Sequence, residues 1–165
     1  MKKYVYVISI ITSIVLLISC KTTQEIAPEK QLTKKEYNDK VSQRKYTFKP
    51  HQVTPMSGST RYLSYDYSLR ISNDTLNVYL PYFGRAYTAP MDINDSGIKF
   101  TSTDFEYTMK EKKNGSYDII IKPNNVQSNM NRGIVFYLSL NDNGYGSLNV
   151  NFTNRQSVSY YGIFE

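Results

Sequence analysis

Residues 134–152, IVFYLSLNDNGYGSLNVNF, contain the pattern that decides the fold. Apolar side chains occupy every second position from Ile134 to Leu140, and the same spacing returns from Leu148 to Phe152. Because successive side chains of a strand point to opposite faces, this period of two predicts two strands, each with one apolar face. Asn143-Gly144 lies between them and readily adopts the positive φ angles of a tight turn. The stretch is therefore predicted to be an antiparallel hairpin.

Similar alternating segments joined by short turns cover 65–80, 105–121 and 148–164, which brings the count to about eight or nine strands. No helical crossover separates them, and parallel strands would need one. A sheet with one apolar face must curl or stack to bury that face. Residues 46–165 are thus predicted to form an all-β domain, an antiparallel meander closing into a small lipocalin-like barrel. A two-sheet β-sandwich is the alternative.

The first 19 residues have the features of a cleaved export signal. Lys2 and Lys3 supply a positive start, and the apolar run Val5–Ile18 is shorter than the about 20 residues that a membrane span needs. Leu17-Ile18-Ser19-Cys20 then resembles a lipobox, with cleavage expected between Ser19 and Cys20. The Cys20 thiol would receive a diacylglycerol and its amino group a fatty acid such as palmitate, which anchors the mature chain to a membrane.

The residues after Cys20 suggest where this anchor resides. Lys21, rather than an aspartate, follows the cysteine, which favours the outer membrane over retention at the inner one. Thr22-Thr23-Gln24 lacks the acidic residues of a surface-export signal, so the periplasmic face is expected. The predicted partner is the lipid membrane, contacted through the Cys20 acyl chains.

Between the anchor and the domain, residues 20–28 read as a flexible tether and 29–45 as a short amphipathic helix. Thr33 and Glu36 have the spacing of a capping box, and Tyr37 and Val41 form an apolar stripe. Two interpretations stay open. The basic helix lies on anionic lipid, or it is a spacer that packs Tyr37 and Val41 onto the domain.

The charge distribution argues against nucleic acid as a partner. Of the formal charge of +6, two charges leave with the signal, residues 21–45 carry +3, and residues 46–165 carry only +1. Nucleic-acid binding requires basic residues concentrated on a folded face. The globular part is nearly neutral, so no such face is expected.

Candidate catalytic and metal-binding residues are few. His51 is the only histidine and has no evident partner, and Cys20 is consumed by lipidation, so neither a catalytic triad nor a zinc site is expected. Residues 92–97 match the start of a calcium loop, but Thr103 stands where the bidentate glutamate belongs. The sequence therefore predicts a non-enzymatic protein without a cofactor.

The best candidate site combines tyrosine and arginine. Tyr82, Arg85 and Tyr87 lie where a strand meets a long loop, and Arg155 lies at a turn near the C-terminus. Together they could bind an anionic or sugar-like ligand by stacking and bidentate hydrogen bonds. In the alternative, structural interpretation, one of the arginines plugs a barrel end.

Two stretches carry a family resemblance. Residues 80–87, LPYFGRAY, and 154–162, NRQSVSYYG, with Gly58 and the Asn143-Gly144 turn, resemble the domain of unknown function 4251 family of Gram-negative envelope lipoproteins. The resemblance covers about 46–164. It implies a periplasmic lipoprotein with a lipocalin-like barrel, and it implies no activity and no catalytic residues.

Two functions follow as hypotheses. In the first, the barrel of an envelope lipoprotein binds a small apolar or amphipathic ligand in an interior cavity that opens near Tyr82–Tyr87. In the second, the domain is a structural or interaction module with a solid core, which docks another envelope protein through exposed tyrosines. Asp74-Thr75-Leu76 also resembles a bacterial O-glycosylation acceptor, although Asp-Thr is equally suited to a tight hairpin.

Overall fold

A computed structural model of the chain describes residues 34–64, 66–87, 97–126 and 128–165. Within these ranges there are one α-helix, ten β-strands and a single 3₁₀ turn at Asn129–Asn131. The helix and strands are α1 (Lys34–Ser42), β1 (Lys45–Pro55), β2 (Arg61–Tyr62), β3 (Ser68–Ser72), β4 (Thr75–Leu80), β5 (Ile98–Ser102), β6 (Phe105–Glu111), β7 (Tyr117–Pro123), β8 (Val135–Leu140), β9 (Tyr145–Asn151) and β10 (Val158–Phe164).

The strands form a nearly closed antiparallel barrel, which confirms the predicted fold class. The order around the sheet is β5-β4-β3-β1-β10-β9-β8-β7-β6, and the short β2 pairs with β1. The first and last strands are therefore neighbours, and the open seam lies between β5 and β6. The hairpins follow the chain as predicted, whereas the β1–β10 pairing joins residues that are more than a hundred positions apart.

The side chains that alternate in the sequence point by turns into the barrel and out to solvent. In β9, Gly146, Leu148 and Val150 are buried, and the residues between them are exposed. The β8–β9 turn has Gly144 at φ 83°, and Gly115 in the β6–β7 turn has φ 78°, a region that glycine enters at low cost. The inward side chains of the strands pack into one hydrophobic core.

Helix α1 covers one end of the barrel. Tyr37 and Val41 are fully buried, which agrees with the interpretation of a spacer helix that packs these residues on the domain. The helix ends at Ser42, three residues before the predicted limit at residue 45, and Lys45 already begins β1. Arg44 between them has φ 53°, and this left-handed residue reverses the chain direction. The predicted residues 29–33 lie outside the described residues.

The alternation of apolar and polar residues does not predict strand β1. It is eleven residues long and contains two prolines, with an irregular register between Pro50 and Gln52. His51, for which the sequence indicates no partner, is an exposed residue at this bulge. Opposite the bulge, a Cβ on Gly162 would lie 2.0 Å from the Lys49 carbonyl oxygen, so only glycine fits.

The predicted signal and tether, 1–28, lie outside the described residues, and so does most of the calcium-like segment 92–97. In the described part of the chain, no helix is both long and apolar enough to cross a membrane.

Candidate ligand-binding site at the barrel rim

The end of the barrel opposite α1, here called the rim, is closed around a buried arginine. Arg155 is only 2% exposed. Its guanidinium carbon lies 4.2 Å from the ring centroids of both Tyr82 and Phe152, and its Nη2 donates to the Asn131 side-chain oxygen. Two aromatic faces and one amide oxygen thus surround the cation, in an environment where cation–π attraction is stronger than at an exposed site.

Backbone hydrogen bonds hold the loop after β4 against the chain segment that contains Arg155. Ala86 and Arg155 form an isolated antiparallel bridge. The Tyr87 amide donates to the Asn154 carbonyl at 2.9 Å, and the Gln156 amide donates to the Arg85 carbonyl at 2.9 Å. The loop is therefore tied at both sides of the bridge to the C-terminal part of the chain.

Two tyrosine hydroxyls complete the rim. Tyr82 donates to the Gln156 carbonyl at 2.9 Å, and Tyr160 donates to the Pro81 carbonyl at 2.6 Å. Burial raises the pKa of Tyr82, and the Arg155 charge acts in the opposite direction. Gly84 lies beneath the Tyr82 ring, where a Cβ would fall 2.3 Å from the hydroxyl oxygen. A side chain at position 84 would displace this tyrosine.

The four residues predicted as a ligand site are therefore close in the fold but play different parts. Tyr82 and Arg155 are in contact, with Arg155 enclosed by protein. The side chains of Arg85 and Tyr87 are exposed, and only their backbones join the assembly. Arg155 fits the alternative, in which an arginine plugs a barrel end, and its partners include two aromatic rings and the Asn131 amide.

A cleft of about 530 Å³ opens at the rim, where β4 ends and β5 begins. Aromatic rings form much of its wall: Tyr67 and Tyr79 pack with centroids 5.2 Å apart, and the Lys99 ammonium lies 5.7 Å from the Tyr79 centroid. On the other side Phe83 is covered by the Arg61 guanidinium at 4.9 Å. The lining residues are Tyr67, Tyr79, Leu80, Pro81, Tyr82, Phe83, Gly97 and Lys99.

The volume of the cleft lies within the range of small-molecule sites. Such sites typically measure about 300–1,000 Å³ and combine apolar walls with a few polar groups. Here the rings provide stacking surfaces, the Tyr79 and Phe83 side chains are 44% and 41% exposed, and Lys99 supplies a positive charge at the mouth. The arrangement suits an amphipathic molecule with an aromatic or apolar body and an anionic or strongly polar group.

Sequence reasoning found Tyr82 but missed Tyr79 and Lys99. These two residues face outward on β4 and β5 and are cross-strand partners in the register. The alternation did place Tyr79 on the polar side of its strand. Their position beside the Pro81–Phe83 loop depends on the pairing of β4 with β5, which the sequence did not reveal.

The described residues contain no group of three or more His, Cys, Asp or Glu side chains that could hold a metal ion.

A comparison with protein families matches residues 29–164 to the model of a domain of unknown function, DUF4251. The chain belongs to the DUF4251 family. Among solved structures it is similar to a DUF4251 family protein from Bacteroides eggerthii, with a TM-score of 0.53 at 11% sequence identity. That similarity covers 79% of this chain and 85% of the other, and it shows a shared fold. A comparison with curated proteins found no significant match.

Proposed function

We propose that this DUF4251 protein is a lipid-anchored protein of the cell envelope, held at the periplasmic face of the outer membrane, that binds a small amphipathic ligand without catalysis. The observation that carries the proposal is the aromatic cleft at the rim, with Lys99 at its mouth. The function itself is not given by the family, whose activity is unknown.

The rim is a better location for the ligand than the barrel interior. Inward side chains from β1, β3, β4 and β7–β10 are at most a few per cent exposed and pack against one another. Helix α1 covers one end and Arg155 the other. A ligand inside would have to displace close-packed side chains, at a cost of the order of several kcal/mol. The proposal therefore moves the expected site from the interior to the rim.

The anchor is supported by the sequence alone. Cys20 is the only cysteine of the chain and follows Leu17-Ile18-Ser19 at lipobox spacing. Labelled palmitate fed to the native host should appear on the wild-type protein and be absent from a Cys20→Ala variant. Label on both proteins, or on neither, would contradict the anchor and leave the ligand site to be judged separately.

The ligand site is tested by native mass spectrometry of the full protein, purified gently from its host. A small molecule should accompany the wild type and be lost from Tyr79→Ala and from Lys99→Met. Lys110→Met removes an exposed lysine on β6 near the β6–β7 turn, at the helix end of the barrel and away from the rim, and should retain the molecule. Wild-type protein without any bound molecule, or equal loss in all variants, would contradict binding at the rim.

A second candidate function is docking of another envelope protein. It is favoured by the filled core together with the exposed aromatic side chains, among which Tyr62 and Tyr87 are 82% and 65% exposed. Large exposed aromatic residues mark interaction surfaces when they cluster. In the same mass spectra this function would appear as a protein partner at fixed stoichiometry rather than as a small molecule.

A further inference from the structure

The outer surface of the barrel is unevenly charged. Two rows of outward residues run across the strands from β8 to β1 and β2. One row is Tyr137, Asn149, Ser159 and Thr54, and the other is Ser139, Ser147, Tyr161, Gln52 and Tyr62. All nine are at least partly exposed, and none is charged or aliphatic. We call these nine residues, with the adjoining Tyr145, the neutral face.

The two rows continue differently at β7: the first passes to Ile120 and then to Thr108 on β6, whereas the second becomes charged. The second row continues there with Asp118, followed by Lys110 on β6. Asp118 forms an ion pair with Lys112 at 2.7 Å, and Lys122 lies 3.6 Å from Glu106 on the same hairpin. The outward residues of β3 and β5 include Arg70 and Lys99. Charge is thus present on both flanks and absent from the two rows, which end towards the helix at the row of Tyr145, Ile163 and Lys49, where Lys49 forms an ion pair with Glu165 at 2.7 Å.

The side chains of the neutral face share one chemical property. Hydroxyl and amide groups each offer both a donor and an acceptor. Two of them already pair with each other, because the Ser159 hydroxyl donates to Asn149 at 2.5 Å. A surface of this composition offers hydrogen bonds to hydroxyl-rich molecules without selecting for either sign of charge.

Tyrosine rings are spaced across the neutral face. Tyr145 and Tyr161 stack with centroids 5.9 Å apart and planes 8° from parallel, and they remain 38% and 46% exposed. Tyr62 lies two strands from Tyr161, a backbone separation of roughly 10 Å at ordinary strand spacing. A chain of sugar rings that crosses the strands would therefore meet more than one aromatic ring.

From these observations we propose a second binding site: the neutral face binds an uncharged polysaccharide. The C–H faces of pyranose rings pack on the tyrosine rings, whose faces are electron-rich, and the sugar hydroxyls exchange hydrogen bonds with Asn149, Ser147 and Gln52. A protein partner fits less well because interface cores are mostly apolar, and the two rows have no aliphatic side chain. Anionic lipid would require cations, which the neutral face lacks.

Affinity electrophoresis tests the proposal with the full chain in a non-ionic polyoxyethylene detergent. Native gels contain hydroxyethyl cellulose or glycol chitin as neutral probes, or polygalacturonate as an acidic probe of similar size. The wild type should be retarded by at least one neutral probe, and the retardation should be independent of salt because no ion pair is involved. The Tyr145→Ala/Tyr161→Ala double variant should bind about tenfold more weakly.

Two controls separate loss of binding from loss of fold. Met109→Ala removes a comparably exposed side chain, 41%, on the opposite side of β7 and should bind like the wild type. Tyr145→Phe/Tyr161→Phe keeps both rings and should retain most of the retardation even if the alanine variant unfolds. No retardation by either neutral probe, retardation only by polygalacturonate, equal loss in Met109→Ala, or preference for phosphatidylcholine vesicles over glycans would each overturn the proposal.

Discussion

The two ends of the barrel are closed in different ways. At the helix end, Tyr37 is fully buried, its ring lies 5.6 Å from Tyr117 and 5.2 Å from Phe164, and its hydroxyl donates to the Leu140 carbonyl at 2.9 Å. At the rim, the buried group is the cation of Arg155 between two rings. One end is sealed by an apolar plug with a single polar tip, and the other by a charge.

The two closures have different consequences: the apolar one stabilises the fold, and the charged one positions residues of the cleft. Burying an aromatic ring removes apolar surface from water and stabilises the fold directly. Burying a cation costs desolvation free energy, which its partners must offset, so the net contribution to stability is small. What Arg155 does provide is a fixed position for Tyr82, and Tyr82 forms part of the cleft wall. We infer that the helix end holds the barrel together and the rim shapes the site.

Truncating the apolar plug should have the largest effect. Tyr37→Ala is expected to lower the free energy of unfolding by about 3–5 kcal/mol, as for other buried aromatic side chains. Tyr82→Ala, at the half-buried rim, should lower it by about 1–3 kcal/mol. Urea denaturation of both variants measures the difference. An equal or larger loss in Tyr82→Ala would contradict the assignment of stability to the helix end.

Alkaline pH should weaken the fold next, through Tyr37 at the helix end and also through the buried Tyr160 at the rim, whose pKa burial raises as well. Burial raises the pKa of Tyr37 far above its ordinary value, and Tyr117 and two carboxylates, Asp142 and Glu111, act in the same direction. The folded state favours the neutral phenol of Tyr37. The stability that this contributes is fully present below about pH 10, the pKa of tyrosine in the unfolded chain, and is lost as pH rises towards the pKa of Tyr37 in the folded state.

Above pH 10, one such tyrosine changes the unfolding free energy by about 1.4 kcal/mol per pH unit. Tyr37→Phe should reduce the slope of stability against pH by this amount, measured by urea denaturation at several alkaline pH values. An unchanged slope in Tyr37→Phe would show that Tyr37 is not the titrating group.

Replacing the charged plug by an apolar one should affect local order more than stability. Arg155→Met keeps much of the volume and is expected to change the free energy of unfolding by about 1 kcal/mol or less. Hydrogen exchange of the Tyr87 and Gln156 amides, which bond across the Ala86–Arg155 bridge, should nevertheless become faster than in the wild type. If Arg155→Met lowered the free energy of unfolding as much as Tyr37→Ala, the two ends would contribute equally to stability. That result would contradict the assignment of stability to the helix end.

The smallest effect is expected at the β6–β7 hairpin. The Lys112 ammonium, with help from the Ser139 hydroxyl, lowers the pKa of Asp118, so its stabilisation is present above about pH 4 and is lost as pH falls below that value. The pair is 44% exposed and screened by solvent, and Asp118→Asn should cost under about 0.5 kcal/mol at neutral pH. A loss above 1 kcal/mol in thermal unfolding would contradict this.

Local patterns predicted the hairpins well because a hairpin depends on residues that are close in sequence. Asn143-Gly144 and Asn114-Gly115 indicated turns, and both glycines have positive φ. Strand β1 escaped prediction because Pro50 and the bulge interrupt its alternation. The seam between β5 and β6 depends on the pairing of β1 with β10, which no local pattern encodes.

The candidate site was predicted only in part, because residue types can be recognised in the sequence but long-range pairings cannot. Tyr82 and Arg155 stood out by residue type, and they do meet at the rim. Arg155 is buried because Phe152 and Asn131 pack against it, whereas the sequence left open whether Arg155 binds a ligand or plugs a barrel end. Tyr79 and Lys99 become neighbours through the pairing of β4 with β5, and the sequence pattern predicts no strand at Lys99.

We propose that ligands bind at the rim and leave the interior and the helix end undisturbed. Hydrogen exchange of the full protein with and without 1-anilinonaphthalene-8-sulfonate, an anionic aromatic probe, tests it directly. Slower exchange is predicted in the rim peptides that contain Tyr79–Phe83 and Gly97–Lys99, with no change in Lys34–Ser42. Protection centred on the helix, or spread over the inward residues of β8 and β9, would contradict binding at the rim.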